Sequence, residues 1–156
     1  MRAEEYEARL QAYITERAIR AEQLVFQQST HSVAKAAAAA GVTPQDFIKN
    51  ICLITAAGEL VVAIVKGEDK VSAVKVGHLL GVPTPRMAKA DEILARTGYP
   101  CGGTPSFGFP ARFLMDPRVF ELALVYTGGG SETALVRADP AELRRANGAQ
   151  VAEIRG

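Results

Sequence analysis

Along residues 3–19 the apolar positions Tyr6, Leu10, Tyr13 and Ile14 recur three or four apart, with Glu4, Glu5, Glu7, Arg9, Glu16 and Arg17 outside them. That spacing predicts an amphipathic helix. Leu24-Val25-Phe26 reads as a short strand, after which Thr30 or Ser32 caps a helix over residues 33–40 that ends at Gly41, where a left-handed residue is wanted. The alanines inside this segment express helix propensity rather than disorder. Thr43-Pro44-Gln45-Asp46 combines a cap, a first-turn proline and an acid three places on, so it marks a short helical start leading straight into Phe47, Ile48 and Lys49. Residues 51–55 and 60–65 are near-continuous apolar runs rich in β-branched residues, joined across Ala56-Ala57-Gly58-Glu59. They predict a β-hairpin buried on both faces.

Further on, Val71, Val74, Leu79 and Leu80 suit a helix over residues 70–80 stopped by Gly81, followed by a strand at 86–88 and a helix at 90–97 stopped by Gly98. Residues 99–110 are so dense in glycine and proline that no regular element fits, yet they are too apolar for a linker. Strands are then expected at 112–115, 122–126 and 133–137, with turns at Asp116-Pro117 and Gly128-Gly129-Gly130. A helix opened by Asp139-Pro140 carries Leu143 and ends before Gly148, and a last strand is expected at 151–154. Hairpins mixed with helical crossovers predict a mixed α/β (α+β) fold, a mixed β-sheet curled into a partial barrel with surrounding helices, rather than a doubly wound sheet.

Composition narrows the class. The 156 residues, 48% hydrophobic and 22% charged, have the length and balance of a single domain spanning 1–156. In it, residues 1–20 form a helical extension ahead of a core at 22–154. No apolar run approaches the ~20 residues that cross a bilayer, and the charged N-terminus does not resemble a signal peptide. Two cysteines, Cys52 in an apolar run and Cys101 in the Gly/Pro loop, make neither a disulfide framework nor a metal site, so a reducing, cytoplasmic location is expected. The net charge of +1 rules out the global basic footprint of many nucleic-acid binders, so any RNA contact has to come from a local patch.

Candidate chemistry is sparse. The loop at 99–110 can bring backbone N–H groups to a carbonyl or carboxylate, and it can equally be a rigid turn packed by Phe107 and Phe109. Lys49, among Phe47, Ile48 and Ile51, is either a partly desolvated cation that holds an anion or polarises a carbonyl, or a helix-end lysine pointing to water. The triple glycine lacks the following Lys-Ser/Thr pair of a phosphate loop and reads as a flexible hairpin turn, with the Ser131 hydroxyl beside it as a substrate contact. His31 and His78 build no Ser-His-Asp or Cys-His arrangement, and Cys101 has no visible activating base. Neither a metal nor a cofactor is expected.

Three segments taken in order carry a resemblance: residues 32–49 from Ser32-Val33-Ala34-Lys35 to Phe47-Ile48-Lys49, residues 98–108 around Gly102-Gly103-Thr104-Pro105-Ser106-Phe107, and residues 126–143 from Tyr126 through Gly130-Ser131 to Pro140-Ala141-Glu142-Leu143. Together they resemble the YbaK/prolyl-tRNA-synthetase-associated editing domains, a family of aminoacyl-tRNA deacylases. The resemblance covers about residues 22–154 and implies the same partial-barrel fold. It implies hydrolysis, in trans, of the ester between a small mischarged amino acid and tRNA, with the aminoacylated 3′ end of tRNA as partner and an aminoacyl-tRNA synthetase as a possible second one. Lys49 aligns with the family's functional lysine, and Gly102, Gly103, Thr104 and Pro105 fall in its substrate loop. Phe47, Ile48 and Phe107 become pocket walls, with Ser131 nearby. Some relatives carry a histidine in the late sheet segment. Residues 126–137 contain none, so the amino-acid preference of those relatives does not transfer. The alternatives are a non-catalytic module that holds an aminoacyl end or a synthetase, and a small-ester hydrolase unrelated to RNA. Oligomeric state is left open.

Overall fold

The structure, a computed structural model, describes residues 1–27 and 32–156. Helix α1 (Ala3–Glu16) buries Leu10 and Ile14, as its apolar spacing requires. It stops three residues short of the predicted end without a glycine. Ala18 takes the left-handed conformation at φ 51°, Ile19 N–H bonds to Ile14 O at 3.0 Å and Ala18 N–H to Thr15 O at 3.2 Å. This double bond pattern closes the last turn and swings Ile19 into the core. Strand β1 (Ala21–Val25) follows. Helix α2 (Val33–Ala40) is capped by Ser32, whose hydroxyl accepts Lys35 N–H at 3.1 Å, and ends at left-handed Gly41. The other candidate cap, Thr30, and His31 lie outside the described residues.

A 3₁₀ turn at Pro44–Asp46 leads into β2 (Ile48–Ile54), which forms an antiparallel hairpin with β3 (Leu60–Lys66). All of β3 is buried because its alternating side chains feed two cores: Leu60, Val62 and Ile64 on one face, Val61, Ala63 and Val65 on the other. Helix α3 (Ala73–Leu80) begins later than predicted, since Ser72 caps it and Val71 is held in a bridge to Arg155. Then come β4 (Arg86–Met87), α4 (Ala90–Thr97), the loop at 99–110 and β5 (Arg112–Met115). Buried Asp116 accepts Arg118 N–H at 3.0 Å to cap a 3₁₀ turn, Pro117–Glu121, and that turn delays the next strand to β6 (Val125–Gly128). β7 (Ala134–Ala138), α5 (Pro140–Asn147) and the short β8 (Gln150–Val151) complete the chain.

The strands form two sheets, β1-β7-β6, entirely antiparallel, and β4-β2-β3-β5-β8, which mixes parallel and antiparallel pairs. Among the described residues the two meet through one bridge, Phe47 to Tyr126, so the mixed sheet curls without closing into a continuous barrel. Helix α2 covers this junction with Ala36 and Ala37 against Phe47, Tyr126 and Leu135. Among the described residues no helix is long and apolar enough to cross a membrane.

Candidate active site

Strand β2 is paired to β3 along its whole length, but on its other edge, among the described residues, its backbone pairs with β4 at Leu53 and Ile54, and Phe47 just ahead of it bridges to Tyr126 of β6. Between those contacts its edge opens onto a cleft of about 240 Å³. The cleft is lined by Phe47 and by Ile48 to Cys52 of β2, Ser32 and Ala36 at α2, and Ile93 of α4. Cys101, Gly102 and Thr104 of the loop, Thr127 and Gly128 of β6 and Leu135 of β7 complete it. Lys49 stands inside β2 rather than at a helix end, because the strand starts three residues before the predicted run. Its flanking residues Phe47 and Ile48 are buried, and Phe47 stacks on Tyr126 with ring centres 5.3 Å apart. The half-buried Lys49 has no ion-pairing carboxylate among the described residues. A cation in this position is free to take an anionic or carbonyl oxygen.

Beside Lys49, Asn50 anchors a buried polar network. Its Nδ2 donates to Thr104 O at 3.0 Å and to Thr127 Oγ1 at 2.9 Å, while its Oδ1 accepts from Ser106 Oγ at 2.7 Å. Ser106 and Thr127 hydroxyls lie 2.8 Å apart. With the Ser106 proton committed to Asn50, the Thr127 hydroxyl donates to Ser106, so both amide protons and both hydroxyl protons are used. The network ties β2, the loop and β6 into one frame. Asn50 and Thr127 were not singled out by the sequence reading. The available signal was an amide next to Lys49 and directly ahead of a buried apolar run, where an unsatisfied polar group is costly.

The loop and the triple glycine touch backbone to backbone. A Cβ on Gly103 would lie 2.7 Å from Ser131 N, one on Gly128 2.0 Å from Thr104 O, and one on Gly129 2.3 Å from Leu135 N. The glycines at 128–130 are therefore a close-packing device and not the flexible turn expected from their sequence. Gly103 N–H donates to Pro100 O at 3.0 Å and Gly103 O accepts Gly130 N–H at 2.8 Å, so Gly103 backs the cleft with its own groups engaged.

Of the residues expected at the site, Phe47, Ile48, Lys49, Gly102 and Thr104 line the cleft together. Pro105 is buried next to the network. Phe107 does not form a wall. It is fully buried in the main core, stacked on Tyr13 at 6.0 Å, because the loop dives under α1 at this point. Ser131 also faces away, its hydroxyl donating to Glu7 Oε2 at 2.5 Å. Both cysteines line the cleft, Cys101 exposed and Cys52 buried, and burial first, then the neighbouring Cys101, pushes the Cys52 thiol up to about 11. His78 is exposed on α3, away from the cleft.

The sequence pattern of the aminoacyl-tRNA editing domain matches residues 27–146, a span that contains the cleft and both backbone segments that frame it. The chain belongs to the aminoacyl-tRNA editing domain family. Residues of the chain are 31% identical over 91 positions to a proline–tRNA ligase from Desulfotalea psychrophila, covering 58% of the chain and 16% of the ligase. A ligase from Acidithiobacillus ferrooxidans is 30% identical over 104 positions, 64% of the chain and 18% of that protein. The chain thus spans less than a fifth of the curated relatives it matches. Among solved structures, a candidate trans-editing enzyme for prolyl tRNA synthetase superposes with a TM-score of 0.89 at 28% identity, covering 97% of both chains. Hypothetical protein APE2540 gives 0.87 at 32% identity, covering 95% of this editing-domain chain and 99% of its own.

Proposed function

We propose that this editing-domain protein, acting as one domain and in trans, hydrolyses the ester that joins a small mischarged amino acid to the 3′ end of tRNA. The observation that carries the reading is Lys49, without a carboxylate partner among the described residues, in a cleft of about 240 Å³ that Gly102 also lines. That volume lies below the usual ~300–1,000 Å³ of small-molecule pockets, which suits a small side chain and its ester but not a whole nucleotide. Exclusion by size is what an editing site needs, since a synthetase pocket separates near-isosteric side chains poorly.

The ammonium of Lys49 draws on the ester carbonyl oxygen, or on the phosphate-ribose end beside it, and stabilises the negative charge that develops there. Gly102 presents the loop backbone to the amino group or to the oxyanion, while Gly103, its N–H already bonded, holds the loop's shape. Phe47, Ile48 and Thr104 bound the space for the side chain, and Asn50 with Thr127 fixes the floor. Water attacks the carbonyl carbon, or a group of the substrate does so first and water then hydrolyses the acyl product it forms. The acyl–oxygen bond breaks, the ribose hydroxyl takes the proton, and free amino acid and tRNA leave. Among the described residues, the titratable groups lining the cleft are Lys49, Cys52 and Cys101, and a Cys52 thiol held near 11 is no nucleophile at neutral pH.

The test is deacylation of tRNAs charged with proline, alanine, cysteine and serine, alongside the corresponding simple amino-acid esters. Selective turnover of one mischarged tRNA, with simple esters untouched, is the expected result. Turnover of simple esters at equal efficiency would point to a small-ester hydrolase, and binding without turnover to a non-catalytic module.

A further inference from the structure

We infer that Glu7, on α1 and outside the span matched by the family pattern, is a positioning residue for the cleft, an inference that rests on the deacylase reading. Glu7 Oε2 accepts the Ser131 hydroxyl at 2.5 Å and the Thr133 hydroxyl at 3.3 Å, and Ser131 Oγ in turn accepts Thr133 N–H at 3.2 Å. No Lys or Arg among the described residues pairs with this carboxylate. A half-buried charge satisfied by two hydroxyls is a costly way to dock a helix whose Leu10 and Ile14 already bury it, which singles out the geometry as what the carboxylate supplies.

From Ser131 the contact passes directly to the cleft. A Cβ on Gly103 would lie 2.7–2.8 Å from Ser131 backbone atoms, and Gly130 N–H donates to Gly103 O at 2.8 Å, so the loop takes its height from the Ser131 turn. Gly102 and Thr104, either side of Gly103, line the cleft. Helix α1 reinforces this seat at neighbouring points. Gln23 Nε2 donates to both Glu7 O and Gly129 O at 2.9 Å, and Arg9 donates to Gly98 O at 2.8 Å where the loop begins. Helix α1 thus acts as a brace behind the loop, with Glu7 as its fixed point.

Once the substrate is identified, kcat and KM are measured for Glu7→Ala, Ser131→Ala, the double variant and Glu7→Gln, with Gln11→Ala as a control on the outer face of α1. A misplacement of about 1 Å can cost on the order of 100-fold, so Glu7→Ala should lower kcat by roughly 10–100-fold with KM changed less than about twofold. Ser131→Ala should match it, the double variant should be no worse than either, and Glu7→Gln, whose amide oxygen still accepts from Ser131, should recover most of the rate. A lowered melting temperature with unchanged kcat per folded molecule, or losses that multiply in the double variant, would overturn the inference. Wild-type protein inert on every ester would defeat the deacylase reading instead. Amide exchange at residues 102–104 then decides the brace separately: faster in Glu7→Ala than in Gln11→Ala supports it, and no difference overturns it.

Discussion

Gly128 is where β6 passes against the loop at its nearest, with the site of a Cβ 2.0 Å from Thr104 O, a backbone atom that cannot swing aside. Gly128→Ala is expected to destabilise the fold by about 2 kcal/mol or more and to abolish deacylation. Gly58→Ala meets nothing within 4 Å and suffers only from its positive φ of 84°, so it should cost about 1 kcal/mol and leave activity intact. Melting curves and turnover for the pair separate the two costs, and equal effects would contradict the close-packing account. The triple glycine was visible in the sequence but its reason was not, because close approach depends on which backbone lies opposite. Lys49 was legible as an oddity, a cation among apolar neighbours, while its strand position was not, since Lys49 and Asn50 interrupt the apolar pattern between Ile48 and Ile51. Phe107 and Ser131 were misplaced for a common reason: a position in an irregular loop or turn has no periodicity from which its facing can be read.

Among the elements, those that end in glycine were the most legible. Gly41, Gly81, Gly98 and Gly148 all stand left-handed at the C-termini of α2, α3, α4 and α5. Helix α1 overran in prediction because Ala18 does the same work without announcing it. Helix α5 carries an electrostatic device that composition conceals. Its Glu142, with a side chain only 2% exposed, bonds Arg145 Nη2 at 2.6 Å and Arg20 N–H at 2.7 Å. Arg145 first, then the Arg20 backbone, holds its carboxyl down to about 2, below the ~4.3 of an ordinary glutamate. A depressed value favours the folded state above the ordinary pKa, and that contribution fades as pH falls toward 2. The melting temperature of Glu142→Gln should therefore fall below that of the wild type by most at pH 6–7, and the gap should close between about pH 5 and 2. A gap independent of pH would show that shape rather than charge matters at Glu142.

At the scale of the whole molecule, the cleft exists because two sheets meet at one bridge and part immediately beyond it. The order of strands and helices was readable from pattern, and with it the mixed, curled sheet. The division into two sheets was not, because pairing partners for β1 and β8 are chosen by packing at long range. The Asn50 network occupies that parting, so the frame of the site is a product of assembly rather than of any local motif. Lys49 is the one cation lining the cleft among the described residues. The most direct test of the account is deacylation of the preferred mischarged tRNA by Lys49→Ala, with melting temperature measured in parallel. A loss of about 100-fold or more in turnover at an unchanged melting temperature is the predicted result. Full activity in a variant that melts like the wild type would contradict it.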